Sequence, residues 1–232
     1  AEGLFTQTEI DDMARWESLS AANKAITPKP FASQFGTVKA GDIKYKDLNN
    51  DGQIDAYDQT YISRGDVPTT VYGFGFTVGW KDLSVGMMFP GVAGAERVLN
   101  GSSINPFNGG GGSGNLYSNI DDRWTEENPD QNAFYPRLSY GSETTSNINN
   151  FQKSTWWVRN MNFLRLKTLQ ISYNLPKPWV NKVHLKNAAV YVMGTNLFTL
   201  SRFKLWDPEL NTDNGASYPN TTSYSVGINF SF

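Results

Sequence analysis

The sequence predicts an all-β protein built from antiparallel strands that cross a membrane. Three observations predict it. Several alternating segments run about ten residues, where strands of soluble domains usually run five or six. Aromatic residues collect at the ends of those segments. The connections between them alternate short and long. Composition agrees: 14% of the 232 residues are aromatic, against 39% apolar in all, a share that suits strands and interfaces rather than helices. Charged residues make up 18% and the formal net charge is −2, so no nucleic-acid partner is expected. There is no cysteine, which excludes disulfides and zinc–thiolate sites. No run of about 18 apolar residues exists to form a spanning helix. The opening "AEGLFTQTEIDD" lacks the basic head and apolar run of a signal peptide.

Taken in order, residues 1–34 predict one short helix beginning near Thr8, with Ile10, Met13 and Ala14 on one face and Pro28 and Pro30 beyond it. "GDIKYKD" at 41–47 alternates as a strand, with Ile43 and Tyr45 on one side and Asp42, Lys44 and Lys46 on the other. An acidic loop follows over 47–58. "VYGFGFTVGW" then places Tyr72, Phe74, Phe76, Val78 and Trp80 on one face. After a tight turn at Lys81–Asp82, "LSVGMMFPGV" places Leu83, Val85, Met87 and Phe89 likewise. Residues 93–154 show no convincing strand, and a loop so long is functional or disordered. Its "GGGGSG" reads as a flexible linker, because the Gly-Lys-Ser/Thr ending of a phosphate loop is missing. "NFLRLKTLQISYNL" alternates at Leu169, Ile171 and Tyr173, but Arg165 and Lys167 interrupt that face. "PKPWVNK" is a short connection. "NAAVYVMGTNLFTL" is a strand whose faces the pattern leaves open. After a long loop over 201–220, "YSVGINFSF" sets Tyr224, Val226, Ile228, Phe230 and Phe232 on one face.

The other faces of these strands carry Gly, Ser, Thr and Asn rather than Lys and Glu, as a crowded or hydrated barrel interior requires. Trp80, Phe89, Tyr173, Phe198, Phe230 and Phe232 stand at strand ends, where membrane barrels carry aromatic girdles. Counting strands back from a periplasmic end puts every long connection outside the cell, the acidic loop with them. The chain therefore divides into a loop region, 1–70, and spanning strands with long extracellular loops, 71–232. The competing reading is a secreted, calcium-binding β-sandwich that binds carbohydrate.

Six blocks carry a family resemblance: "GDIKYKDLNNDGQID", "YGFGFTVGWKDLSVGMMFPG", "ENPDQNAFYPRLS", "FLRLKTLQISYNLP", "VYVMGTNLFTLSRFKLWDPE" and "YSVGINFSF". From about Gly3 to Phe232 they resemble the carboxy-terminal part of SusC/RagA-type TonB-dependent transporters of Bacteroidota. The resemblance implies an outer-membrane barrel of about 22 strands, with an internal plug, that imports oligosaccharides or peptides. It implies a SusD-like surface lipoprotein as partner, and the TonB complex, reached through an amino-terminal part absent from these residues. About five spanning strands cannot close a barrel, and lipid tolerates no open strand edge. The chain is thus expected to be one piece of a larger barrel, completed by the remaining strands and plug. Tyr224, Phe230 and Phe232 resemble the signal by which assembly machinery recognises such barrels.

One site is spelled out by spacing. Asp47, Asn49, Asp51, Gln53, Asp55 and Asp58 fall at positions 1, 3, 5, 7, 9 and 12 of a calcium-type loop, with Gly52 for the sharp turn and Ile54 as apolar anchor. Hard oxygen ligands at this spacing suit Ca2+, with Mg2+ second. An Asx-rich turn without metal is the alternative. Nothing predicts catalysis: the single histidine, His184, lies in a short connection with no nucleophile motif near it. Trp124, Tyr135 and Trp206 sit in long loops as candidates for contact with a nutrient or a lid protein, or for loop packing.

Overall fold

The structure is a computed structural model that describes residues 1–101, 104–107, 118–139 and 148–232. The chain folds as two compact units. One comprises Ala1–Ser63 with Val98–Val158, the other Arg64–Arg97 with Arg159–Phe232. The glycine-rich run at 108–115 and much of "GSETTSNINN" lie outside the described residues.

The second unit holds one five-stranded antiparallel sheet. Its strands are β3 (Thr70–Trp80), β4 (Leu83–Ala93), β7 (Phe163–Asn174), β8 (Asn187–Ser201) and β9 (Ser223–Ser231), in that spatial order. At about 3.3 Å per residue the eleven residues of β3 run about 36 Å, and a tilt of about 45° leaves the roughly 25 Å that an apolar membrane band needs. The register aligns whole rows across the sheet. Val78, Val85, Ile171, Val192 and Val226 are successive partners, and so are Trp80, Leu83, Tyr173, Val190 and Ile228. Gly79, Ser84, Ser172, Tyr191 and Gly227 form a row of the opposite face. There the Tyr191 ring covers Gly227 so closely that a Cβ would stand 2.4 Å from its hydroxyl.

Two register shifts explain what alternation alone left unresolved. β7 slips against β4 between Met88 and Gly91, and against β8 between Leu166 and Thr168. Leu169, Ile171 and Tyr173 keep the apolar phase. Beyond the irregularity the phase changes, and Leu164 now pairs with Gly91 and Leu200. Arg165 therefore falls on the other face, which corrects its expected placement among the apolar residues. The β-sandwich alternative requires a second sheet over the apolar face. Among the described residues no second sheet covers that face, which is exposed on β3 and β9 and exposed or half-exposed over much of β4, β7 and β8.

The first unit is irregular and buries its core by packing distant segments. β1 (Gly3–Leu4) pairs with β2 (Ile43–Lys44). Two helices replace the single one expected. α1 (Gln7–Glu17) is capped two residues earlier than Thr8, by Thr6, which forms a reciprocal capping box with Glu9. α2 (Ala21–Lys24) starts at Ser20. The connection 93–154 is less bare than its composition implied. It contains β5 (Glu96–Val98), which pairs with β6 (Val158–Asn160), and it supplies Leu99, Ile104, Trp124, Ala133 and Tyr135 to buried positions. α3 (Lys177–Lys182) fills the connection between β7 and β8.

Candidate functional site

The largest continuous feature of the second unit is the apolar face of its sheet. Period-two alternation puts Tyr72, Phe74, Phe76, Val78 and Trp80 of β3 on it. The ladder carries the same phase to Tyr224, Val226, Ile228 and Phe230 of β9. Val226 is 74% exposed and Trp80 67%. Among the described residues, both outer strands, β3 and β9, show an unpaired edge of eleven and nine residues. In water such a surface is a large exposed apolar patch bounded by two open templates for strand pairing. In a bilayer, with further strands on both edges, it is the ordinary outer wall of a barrel.

The loop after β9's partner is tied down by charge. Arg165, on the non-apolar face of β7, is buried and ion-pairs with Asp207 and, at 3.5 Å, with Glu209. Asn220 donates to both carboxylates, at 3.2 and 3.1 Å. Burial opposes ionisation of Asp207, but the hydrogen bonds from Arg165 and from the Glu209 backbone outweigh it and hold the carboxyl below its ordinary range. Trp206 packs edge-on against Phe203, with centroids 4.9 Å apart, and closes over Gly215.

In the first unit, Asp42 is the polar hub, fully buried although its pattern placed it on the charged side, with Lys44 and Lys46. It accepts from both ends of the Arg137 guanidinium, at 3.0 and 3.1 Å, from Asn150 at 2.9 Å and from the Lys39 amide at 2.8 Å. Asn149 accepts from Phe35 N and donates to Ile43 O of β2, and Asn150 accepts from Ile43 N. Tyr45 donates to Asn149 O at 2.7 Å, and its burial pushes the phenol pKa up. Apart from the Lys39 amide, these partners stand 95 to 114 residues apart in sequence, which is why no local pattern revealed them.

The acidic loop lies in the same unit. Asp47 accepts from the amides of Asn50 and Gly52, at 2.6 and 2.7 Å. Asp51 accepts from Gln53 N, Asp55 from Tyr57 N, and Asp58 from Leu48 N and Asp55 N. Those backbone donors, Asp55 first, hold the Asp58 carboxyl below its ordinary range. Gly52 takes the φ of +85° that the turn requires. Among the described residues no group of three or more His, Cys, Asp or Glu side chains gathers in metal-holding geometry. Beside the loop opens a cavity of about 680 Å3, with Tyr45, Leu48, Ile54, Asp55, Asp58 and Ser154 in its lining.

Of the three aromatic contact candidates, two are core residues. Tyr135 is 0% exposed and Trp124 is buried. Tyr135 stacks edge-on against Phe134 and Trp157. Trp124 lies over Gly41 so closely that its ring leaves no room for a Cβ, and the φ of +81° there suits glycine as well. Trp206 is half-buried against its own loop. Tyr224, Phe230 and Phe232 are exposed on the apolar face and at its end.

The fold and its outward apolar face define a class: a segment of wall from a large membrane β-barrel. No protein-family model matches the sequence. Three TonB-dependent receptors of Formosa agariphila do. The receptor P26 is 32% identical over 204 residues, 83% of this chain and 20% of that protein. The receptor P3 is 26% identical over 88% of this chain and 20% of its own length. Among solved structures, the RagAB peptide importer in its closed-closed state superposes with a TM-score of 0.62 at 29% identity, covering 78% of this chain and 19% of that one. Its open-open state gives 0.57 at 28% identity, over the same shares. The chain belongs with the TonB-dependent receptors of the RagA type, and it spans about a fifth of the length of the relatives it matches.

Proposed function

We propose that this chain is part of the barrel of an outer-membrane nutrient importer energised through TonB, and that the cargo is an oligopeptide or oligosaccharide. The observation that carries the reading is the unbroken apolar face of five long, registered strands with open edges on both sides. Hydrocarbon on that face and further strands at the edges satisfy it. Residues 1–70 and the connections 93–154 and 201–220 stand on the extracellular side, where long barrel loops belong. A SusD-like lipoprotein lids the assembled transporter, and the plug and the TonB contact come from the remaining four-fifths of the protein. Similarity to receptors and an importer, none of them an enzyme by name, supports transport rather than catalysis. From this segment, nutrient contact falls to the cavity beside the acidic loop, because Trp124 and Tyr135 have almost no surface to offer. The test is deletion of the full-length gene. Loss of growth on defined oligopeptides or on defined oligosaccharides, restored by the intact gene, supports import and names the cargo class. Unchanged growth and uptake on both sinks it.

For the acidic loop we propose a structural Ca2+, with Mg2+ second, held by the oxygens of Asp47, Asn49, Asp51, Asp55 and Asp58 and the Gln53 carbonyl. The ligand spacing and the left-handed Gly52 support it. Ion binding exchanges the amide contacts of these carboxylates for metal contacts and stiffens the loop. Thermal stability of the full-length protein that is the same with calcium and with chelator counts against it.

A further inference from the structure

We propose that the short-turn end of the sheet is a docking surface for anionic phospholipid headgroups. The proposal rests on the sheet being membrane-spanning, and it adds which lipid chemistry that end selects. Three structures meet there. They are the turn at Lys81–Asp82, the connection 175–186 with α3, and the end of β9. The ladder joins them: Leu83 pairs with Tyr173, Asn174 with Ala189, and Ala188 with Phe230. Backbone bonds from Asn174 N to Asp82 O and from Lys186 N to Ser231 O, each 2.8 Å, close the rim.

The chemistry of this rim is one-sided. It carries Lys81, Lys177, Lys182 and Lys186 against the single carboxylate of Asp82, in a chain whose overall charge is negative. All four lysines are exposed, and none enters an ion pair among the described residues. The other end of the sheet differs: there Arg97 meets Asp66 and Asp213, and Arg165 meets Asp207 and Glu209. Cations gathered without anionic partners repel one another, so an anionic surface is what completes them. The aromatics fix where that surface lies. Val180 is buried and anchors α3, which leaves Trp179 65% exposed beside Val183. Trp80 is exposed too, with the Lys81 ammonium 4.8 Å above its ring. Indole rings settle at the boundary between hydrocarbon and headgroups, and lysines reach from there into the phosphate layer. The rim continues the apolar face directly, through Trp80 and Phe230. The occupant is therefore a leaflet bearing anionic phosphate esters, held to the lysines by charge and to the rings by depth.

The test uses the full-length receptor in detergent, with phosphatidylglycerol and phosphatidylcholine as probes and bound lipid counted by native mass spectrometry. The wild type is expected to prefer phosphatidylglycerol by about tenfold or more, since each lysine near an anionic surface contributes about fivefold. The K81Q/K177Q/K182Q/K186Q variant is expected to lose that preference and to keep its melting temperature in phosphatidylcholine micelles. Should the quadruple variant fail to fold, K177Q/K182Q on the exposed α3 serves instead and should lose a large part of the preference. A wild type without preference, or variants that retain it, overturns the proposal. Retained lipid preference with loss of a co-purifying protein overturns it in favour of a protein-docking rim. A wild type that does not float with vesicles of either lipid sinks the membrane reading itself, whereas flotation without headgroup preference sinks only this inference.

Discussion

The two units solve opposite solvent problems with the same residue types. In the first, Tyr135, Phe5, Ile43, Leu99 and Ile104 are hidden, and the buried Asp42, Asn149 and Asn150 are paired, Asp42 with Arg137 and Asn150, and both asparagines with the backbone. In the second, Phe74, Phe76, Val78, Val192, Val226 and Ile228 face outward, and much of the opposite face is glycine, serine and threonine. One unit is folded against water and the other against hydrocarbon. Apolar content therefore does not mark the inside of this protein; the periodicity of that content does.

The sharpest way to break the comparison is one substitution made twice in the full-length protein. Tyr135→Ala empties a core position and should cost about 3–5 kcal/mol in thermal or denaturant unfolding. Tyr224→Ala, on the exposed face, should shift the same transition by far less. Equal effects would mean that both tyrosines sit in one kind of core. Next in size is charge on the lipid face. Val226→Arg at the middle of β9 should cost about 2–4 kcal/mol and reduce the heat-modifiable folded band on cold gels. Its neighbour Ser225→Arg, on the other face, should leave that band intact. A smaller effect is expected at the tie between β7 and the loop 202–222. Arg165→Gln should cost about 2 kcal/mol by leaving Asp207 without its charged partner, and should open the loop to protease. Because the Asp207 carboxyl is held below its ordinary range, its contribution is present above about pH 4 and is lost as pH falls further, through the folded value. Protection of the loop should thus be flat from pH 7 to about 5 and decline only in stronger acid. The smallest is Thr6→Ala, which removes one half of a capping box and should lower stability by about 1 kcal/mol, read as a small shift in melting temperature.

The second unit was legible in the sequence because lipid imposes a strict rule. Every other residue of a wall strand must be apolar, and β3, β4 and β9 obey it along almost their whole length. β7 and β8 were half legible. Their irregularities shift the phase near Thr168, so Arg165 looked like a fault in the pattern when it lay on the other face. The first unit was nearly illegible. Asp42 finds Arg137, and Ile43 finds Asn150, across loops that carry no period at all. The acidic loop was read from spacing, but spacing does not say that each carboxylate is already occupied by backbone amides. For Trp124 and Tyr135, composition offered contact and packing as equals. Packing is what their positions over Gly41 and beside Trp157 display.

The unpaired margins of β3 and β9 have a consequence for solubility. Taken by itself, this stretch offers two long ribbons of amide and carbonyl groups, flanked by greasy side chains, that are ready to recruit any strand they meet, including another copy of themselves. Produced alone in water, this stretch should come out as sheet-rich aggregate and not as a monomer.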